Sequence, residues 1–597
     1  MSEAITMMQA AKAGGALTPV LIEIIRNAVR GIAERTTGRM IRASTSFIVK
    51  EMEDCSAAVF DREGRLLAES ANIPIHLNCV GVCLKSILAN HIPVEDWAEG
   101  DIVGTNDTYS HETSLASAHT NDYILFTPVF VAGELVGFVG LMVHHLDIGA
   151  ATPGTRGWNL HIFHEGLRCP PVKLARRGVT DEGILAVILN NTRLPETMEN
   201  DLKAQMASIL AGAAEMRDLF SRYGVATVDA GLAALIAQSE TRTRMVIEEI
   251  PDGTYRHTER ILDDGAKGGP YTLKVAITVK GSSILFDFTG TDPQIDGPIN
   301  SPLSATWAAI FYVMRCITDP EVPSNEGCKT PIDVIAPPGS LVNAQRPAAV
   351  FQRMVTCHTI VDLVMGALAE VIPDRVVADS CGCIYNFIAS EPREGGGRIS
   401  MFGEAMPGGL GATAKADGAN VMSCHVTNAP LPPIEAIEAE NPVLYLRREI
   451  QVDSGGAGRM RGGNGQVLTY RVLGRKAQLA HTSQKTVTHP QGIAGGLAGQ
   501  GGRWIVNEGL PGERVLDHAI GDYEPIATGD TVTHYTASGG GFGDPLTRAP
   551  DAVVEDVRLG FLSRQKAREV YGLVVADDLS GAAPTAARST LTAETAA

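Results

Sequence analysis

The sequence predicts an α+β fold, with a mixed α/β N-terminal region and a glycine-rich, β-dominated C-terminal region, and three observations carry that prediction. Stretches at 18–45, 200–219 and 228–249 return apolar residues at the spacing of an amphipathic helix. Between Tyr123 and Val143 two apolar runs of similar length flank Ala132-Gly133-Glu134, the pattern of a β-hairpin. Past residue 400, glycines crowd into short clusters between apolar runs. A chain of 597 residues, 44% of them hydrophobic, exceeds one domain and can fill more than one core. We divide it into an N-terminal region at 18–250 that holds the candidate metal ligands, a central α+β region at 251–400, a glycine-rich region with closing helices at 401–572, and a disordered tail at 573–597.

Taken in order, Thr18 caps the first helix and Pro19 fills its first position. Phe47-Ile48-Val49 and Ala57 to Phe60 read as strands separated by the acidic bend that ends in Asp54, and Asp61 to Arg65 as a turn into Leu66-Leu67-Ala68. Asn200 to Leu219 reads as one long amphipathic helix and Val228 to Glu249 as a second. Tyr271 to Ile277 and Ser283 to Phe288 alternate as strands, while Ala305 to Ile317 and Val355 to Ala369 read as helices. The glycine clusters at 408–411, 455–458, 462–465, 495–502 and 539–543 read as tight turns between β-elements. None ends in Gly-Lys-Ser/Thr between a strand and a helix, so none reads as a phosphate loop. Residues 550–572 read as a closing helix pair.

Composition narrows the function classes. A net charge of −18 and the lack of any basic run argue against a nucleic-acid binder. No stretch approaches 18 uninterrupted apolar residues, and Met1 to Gly15 lacks the cationic and apolar blocks of a leader, so the expected compartment is the cytoplasm and no membrane partner is expected. Ten cysteines are scattered without paired CxxC motifs, which argues against a thiolate zinc site; Cys381-Gly382-Cys383 is the one close pair.

The chemistry concentrates between Asn106 and Asp147, which hold Asp107, His111, His119, Asp122, His144, His145 and Asp147. His119 and Asp122 sit at the mouth of the first strand of the expected hairpin, and the return strand brings His144 back beside them. Three nitrogen and oxygen donors converging there suit Zn²⁺, Mn²⁺ or Fe²⁺ without any thiolate. Asp54, at the start of a strand, could supply a fourth donor from a remote part of the chain, although alone it reads as a surface carboxylate.

Several motifs now carry a resemblance: DCSAAVFDREGRLLA from Asp54, GDIVGTNDTY from Gly100, HHLDIG from His144, FHEGLRCPPVKL from Phe163, DSGGAGRMRGGNG from Asp453 and SGGGFGDP from Ser538. In this order, spread over about 18–572, they resemble the hydantoinase B/oxoprolinase family. The resemblance implies a metal centre on Asp54, His119, Asp122 and His144, with catalysis by water on the cation. It also implies a hydantoinase A-type partner subunit, in a hetero-oligomer, that binds ATP and Mg²⁺ and phosphorylates the substrate. The reaction implied is hydrolysis of a cyclic amide, with ATP-dependent carboxylation of an acetone- or acetophenone-type ketone as the alternative. A structural subunit with vestigial ligands is the non-catalytic alternative, against which the intact ligand set weighs. His145 and Asp147 are candidates to orient a ligand imidazole. The family pattern NDPYxGGTH is replaced here by a loop about five residues longer from Asn106 to His119, which puts His111 and Glu112 forward as substrate contacts.

The missing phosphate loop generates a prediction. The purified chain, assayed alone with Mg-ATP, should release no phosphate above background; ATPase activity without a partner would overturn the division of labour between two subunits.

Overall fold

The computed structural model describes residues 17–76, 78–109, 117–155, 159–265, 268–392, 399–516, 520–586 and 588. Helix α1 (Pro19–Ala43) starts as its sequence dictates, with Thr18 Oγ1 accepting the Leu21 N–H at 3.2 Å and Pro19 at the first position. Phe47-Ile48-Val49, expected as a strand, instead forms the four-residue helix α2 (Phe47–Lys50). All three of those side chains are buried, and a short apolar run buried all round looks the same in sequence whether it is helix or strand.

The first sheet has seven strands: β1 (Cys55–Asp61), β2 (Leu66–Glu69), β3 (Ile102–Thr105), β4 (Asp122–Val131), β5 (Glu134–His144), β6 (Val172–Arg176) and β7 (Val179–Thr180). They lie in the order β2-β1-β5-β4-β3-β6-β7, and every pairing is antiparallel. The β4–β5 hairpin closes through Ala132 and Gly133, both in the left-handed region at φ 51° and 83°, which suits the twist of a two-residue hairpin turn. β1, β4 and β5 are almost wholly buried, so their near-continuous apolar sequence reports burial on both faces.

Helix α3 (Cys79–Asn90) follows β2, and α4 (Glu182–Asn190) leads into α5 (Pro195–Tyr223) and α6 (Val225–Glu248). α5 packs against α1 and across β4 and β5. Gln205, on its buried face, donates to the carbonyls of Tyr123 and Leu141 at 2.9 and 2.8 Å, tying helix to hairpin. Two turns on, Gly212 lets α5 approach: a methyl there would sit 2.5 Å from Thr36 Oγ1 and 3.2 Å from Val139 Cγ1. β8 (Gly253–Ile261), β9 (Tyr271–Lys280), β10 (Ser283–Asp287) and, after α7 (Leu303–Ile317), β11 (Ile332–Ile335) follow; β10 runs antiparallel to β9 and parallel to β11.

The chain gathers into two compact units. One takes in most residues up to Arg353 apart from 255–275; the other takes in 255–275 and the chain from Met354 onward. In the second unit, α8 (Arg353–Leu368, from Met354) precedes a four-stranded sheet in the order β13-β12-β16-β19, from β12 (Ile384–Glu391), β13 (Ser400–Ala405), β16 (Arg475–Ser483) and β19 (Ile520–Ile526). A five-stranded sheet runs β14-β15-β20-β17-β18, from β14 (Val443–Ile450), β15 (Gln466–Val472), β17 (Arg503–Val506), β18 (Arg514–Leu516) and β20 (Thr531–Tyr535).

The glycine clusters differ from the expected tight turns. Of those at 408–411, 455–458, 462–465, 495–502 and 539–543, only Gly495 and Gly543 adopt positive φ. The loops instead lie backbone against backbone: Gly463 N donates to Leu410 O at 2.7 Å and Gly539 N to Gly463 O at 2.9 Å. A Cβ on Gly539 would run into the Leu410 carbonyl, and one on Gly409 into that of Gly463. Part of the expected tail is ordered too. β21 (Leu573–Val575) pairs with β22 (Ala582–Pro584), and the Arg588 guanidinium donates to the Tyr571 carbonyl at 2.8 Å.

The contact at Gly212 generates a prediction. Gly212→Val should destabilise the protein by about 1–3 kcal/mol through overpacking, read as a lower Tm in thermal unfolding. Adding Thr36→Ala, which removes the nearest atom, should restore part of the loss; full additivity of the two changes would show that the close approach is not what Gly212 provides.

Candidate metal centre

The site is built from strand register. In the hairpin, Asp122 is the direct cross-strand partner of His144, and β1 sits on the other side of β5 with Cys55 opposite Val143. The His144 N–H donates to the Asp54 carbonyl at 3.1 Å, so Asp54, His144 and Asp122 stand in one row across the ends of three adjacent strands. Glu53 turns the chain into β1 with a positive φ of 52°. His119 joins the row through a turn in which the Asp122 N–H donates to the His119 carbonyl at 3.1 Å.

That turn is held from several sides. Ser117 Oγ reaches the Asp122 carbonyl at 2.9 Å, and Asn106 Nδ2 donates to the Thr120 carbonyl at 2.6 Å while its Oδ1 accepts the Cys169 N–H at 2.7 Å. Asn121 exchanges hydrogen bonds with the His145 backbone at 2.9 and 2.8 Å. The GTNDTY motif thus supplies scaffold through Asn106, and HHLDIG supplies scaffold through the His145 backbone together with one donor of the site, His144.

His119 Nε2, His144 Nδ1 and Asp122 Oδ1 form a nearly equilateral triangle with edges of 3.1, 3.1 and 3.2 Å. Ligands about 2.0–2.1 Å from a tetrahedral cation are separated by about 3.3 Å, so this donor set fits a divalent ion. Asp54 Oδ2 lies 3.8 Å from His144 Nδ1, beside the triangle. Asp54 Oδ1 also lies 3.5 Å from Nε2 of the buried His76, whose Nδ1 is bonded to Ser56 Oγ at 2.9 Å.

Burial dominates the electrostatics. Desolvation pushes His119 well below the usual imidazole range, and the Arg353 guanidinium pushes the same way against the pull of Asp122, so the ring is neutral and its nitrogen lone pair available. Desolvation lowers His76 too, against the carboxylates of Asp122 and Asp54. Burial works against a charged Asp122, but His119, His144 and Arg353 outweigh it and hold the carboxyl well below its ordinary value. A neutral imidazole beside an ionised carboxylate is the protonation state that binding a cation requires.

The two expected orienting residues have other tasks. The His145 ring lies edge-on to Tyr123 at 5.5 Å, and burial lowers its pKa to about 4. Tyr123 follows Asp122 on β4, and successive strand residues face opposite sides, so a ring packed on Tyr123 is turned away from the ligand row. Asp147 accepts from the Arg193 N–H and Nη1 at 2.7 and 2.8 Å and from Thr192 Oγ1 at 3.2 Å, which fastens the loop after β5 to the start of α5. Asp107 accepts the Tyr109 N–H at 3.1 Å and lies 3.6 Å from Arg168, outside the donor triangle. His111 and Glu112 lie outside the described residues.

Sequence reasoning passed over three residues that the fold brings here. Arg353 reaches Asp122 Oδ2 with Nη2 at 3.4 Å, Phe351 sets its ring edge-on to His119 at 5.2 Å, and His76 meets Asp54. Behind them Glu165, within the FHEGL motif, accepts the N–H groups of Val350 and Phe351, both at 2.8 Å.

Comparison with known proteins gives the family of the chain. Residues 18–545 match the hydantoinase B/oxoprolinase family. The B-type chain of a putative D-/L-hydantoinase from Pseudomonas sp. strain NS671 is 29% identical over 577 residues, covering 94% of this chain and 96% of that one. The crystal structure of the ATP-dependent caprolactamase from Pseudomonas jessenii superposes with a TM-score of 0.84 at 28% identity, over 94% of this chain and 98% of that one. A nucleotide-free acetone carboxylase structure shares the fold, with a TM-score of 0.85 at 20% identity over 98% of this chain and 85% of that one. The chain belongs to the hydantoinase B/oxoprolinase family of enzymes.

Proposed function

We propose that this chain is the metal-bearing subunit of an ATP-dependent cyclic-amide hydrolase, working on a substrate that a hydantoinase A-type partner has phosphorylated. The observation that carries the reading is the triangle of His119, Asp122 and His144 with Asp54 beside it. A divalent cation of the zinc, manganese or iron type, when bound there, supplies Lewis acidity and an activated water near neutral pH. Support for the substrate class and for a partner comes from the relatives, one described as the B-type chain of a hydantoinase and one as the beta chain of a caprolactamase, each named as one subunit of its enzyme.

The chain's own residues set how the centre works. His119 and Asp122 are sealed from solvent, whereas the Asp54 side chain keeps 22% of its surface exposed, so substrate and water arrive on the Asp54 side. His76 Nε2, 3.5 Å from Asp54, is placed to hold that carboxylate in position. Phe351 closes the apolar side of His119 and keeps water from its ring.

Two measurements test the reading. His119→Ala, His144→Ala and Asp54→Ala should each lose metal in elemental analysis and lose activity by more than the roughly 10–100-fold that removing an outer partner costs; full occupancy in all three would show that the ligands lie elsewhere. With the cognate partner, Mg-ATP and a panel of hydantoins, 5-oxoproline and lactams, ring-opened product should accumulate as ATP is consumed. Incorporation of bicarbonate into a methyl ketone, with no ring opened, would make the chain the corresponding subunit of a ketone carboxylase.

A further inference from the structure

The metal centre contains a cation that the ligand set does not explain. Arg353, the first residue of α8, is 3% exposed and reaches Asp122 Oδ2 through Nη2 at 3.4 Å. Its Nε, also buried, has no hydrogen-bond partner among the described residues. A guanidinium buried with one long contact and one unsatisfied donor is costly to keep, because each unpaired buried donor carries its full desolvation penalty.

The local charges show what would repay that cost. A divalent cation held there would be balanced by the two carboxylates beside it, Asp122 and Asp54. Arg353 then leaves one positive charge in surplus. Glu165 Oε1 accepts the Val350 and Phe351 N–H groups and Asp107 faces Arg168 at 3.6 Å, so among the described residues Asp122 is the carboxylate paired with Arg353. A site with this balance is matched by an anion, and a guanidinium with free N–H groups matches the oxygens of a phosphate.

Arg353 is also fixed in place. Its N–H donates to the Val350 carbonyl at 3.0 Å, and the Val350 and Phe351 N–H groups are gripped by Glu165 Oε1, both at 2.8 Å. The Glu165 carbonyl in turn accepts Thr120 Oγ1 at 3.0 Å, one residue from His119. One buried residue therefore ties the Val350–Arg353 turn to the ligand turn, so the guanidinium and the donor triangle keep a set spacing.

We propose that Arg353 is the anion receptor of this centre, holding the phosphate of the activated substrate against the cation. The assignment rests on the metal-centre reading and adds to it a residue that touches substrate.

The test uses the metal-loaded chain with inorganic phosphate as the probe, binding being read by isothermal titration calorimetry and metal content by elemental analysis. Wild type should bind phosphate. Arg353→Met should keep its metal and bind phosphate about 10- to 100-fold more weakly, the equivalent of one or two charge-assisted hydrogen bonds, with Arg353→Lys in between. Equal phosphate affinity in wild type and Arg353→Met, both holding metal, overturns the proposal while leaving the metal centre intact. If the Met variant loses its metal, the Lys variant decides: unchanged phosphate affinity in it overturns the proposal, and weaker binding at full metal content upholds it. Wild type without metal overturns both readings.

Discussion

Everything at this site depends on the register of three antiparallel strands. Asp122 and His144 meet because the hairpin pairs them directly, and Asp54 joins because β1 pairs with β5 one residue further in. Side chains alternate along a strand, so a slip of one residue in the β4–β5 pairing would turn His144 away from Asp122, and one in the β1–β5 pairing would turn it away from Asp54. Gln205 grips the carbonyls of Tyr123 and Leu141, one on each strand of the hairpin. α5 therefore does more than cover the sheet: the buried Gln205 amide N–H groups find their acceptors only when β4 and β5 are in place.

A second constraint is electrostatic. Asp122 is fully buried, and a buried carboxylate must be matched by partners. Its two oxygens are divided, Oδ1 facing the imidazoles of His119 and His144 and Oδ2 facing Arg353. Burial first, and the positive charge of Arg353 after it, disfavour a proton on His119 and push its pKa well below the usual imidazole range. The guanidinium thus shapes the centre twice, by fixing Asp122 and by keeping the imidazole in its ligand form.

What was legible in the sequence was what lies close along the chain. His119, Asp122 and His144 could be brought together on paper because one tight turn and two equal apolar runs are a local pattern. Asp54 had no local signal, since nothing nearby in sequence distinguishes a ligand from a surface carboxylate; the family resemblance put it forward, and strand pairing sets it beside His144. Phe47 to Val49 misled because three buried apolar residues carry no period. His145 and Asp147 misled for another reason: nearness to a ligand in sequence says nothing of the face a side chain takes, and theirs are committed to Tyr123 and Arg193. Arg353 had no signal at all, lying 231 residues from the carboxylate it reaches.

Glycine shows the same limit from the other side. The clusters after residue 400 were visible, yet composition alone does not say whether a glycine provides a left-handed turn or room for another backbone. Here it is mostly room, as at Gly409, Gly463 and Gly539, where loops distant in sequence exchange backbone hydrogen bonds at van der Waals range. Such a layer has no side chains to adjust, so it tolerates neither a methyl group nor a shift of register, and its tolerance is set by the least yielding neighbour, a carbonyl oxygen. At Gly212 the nearest neighbour is a threonine hydroxyl instead, which a smaller side chain can vacate. The same residue type therefore marks a rigid contact in one place and an adjustable one in the other, and only the identity of the facing atom separates them.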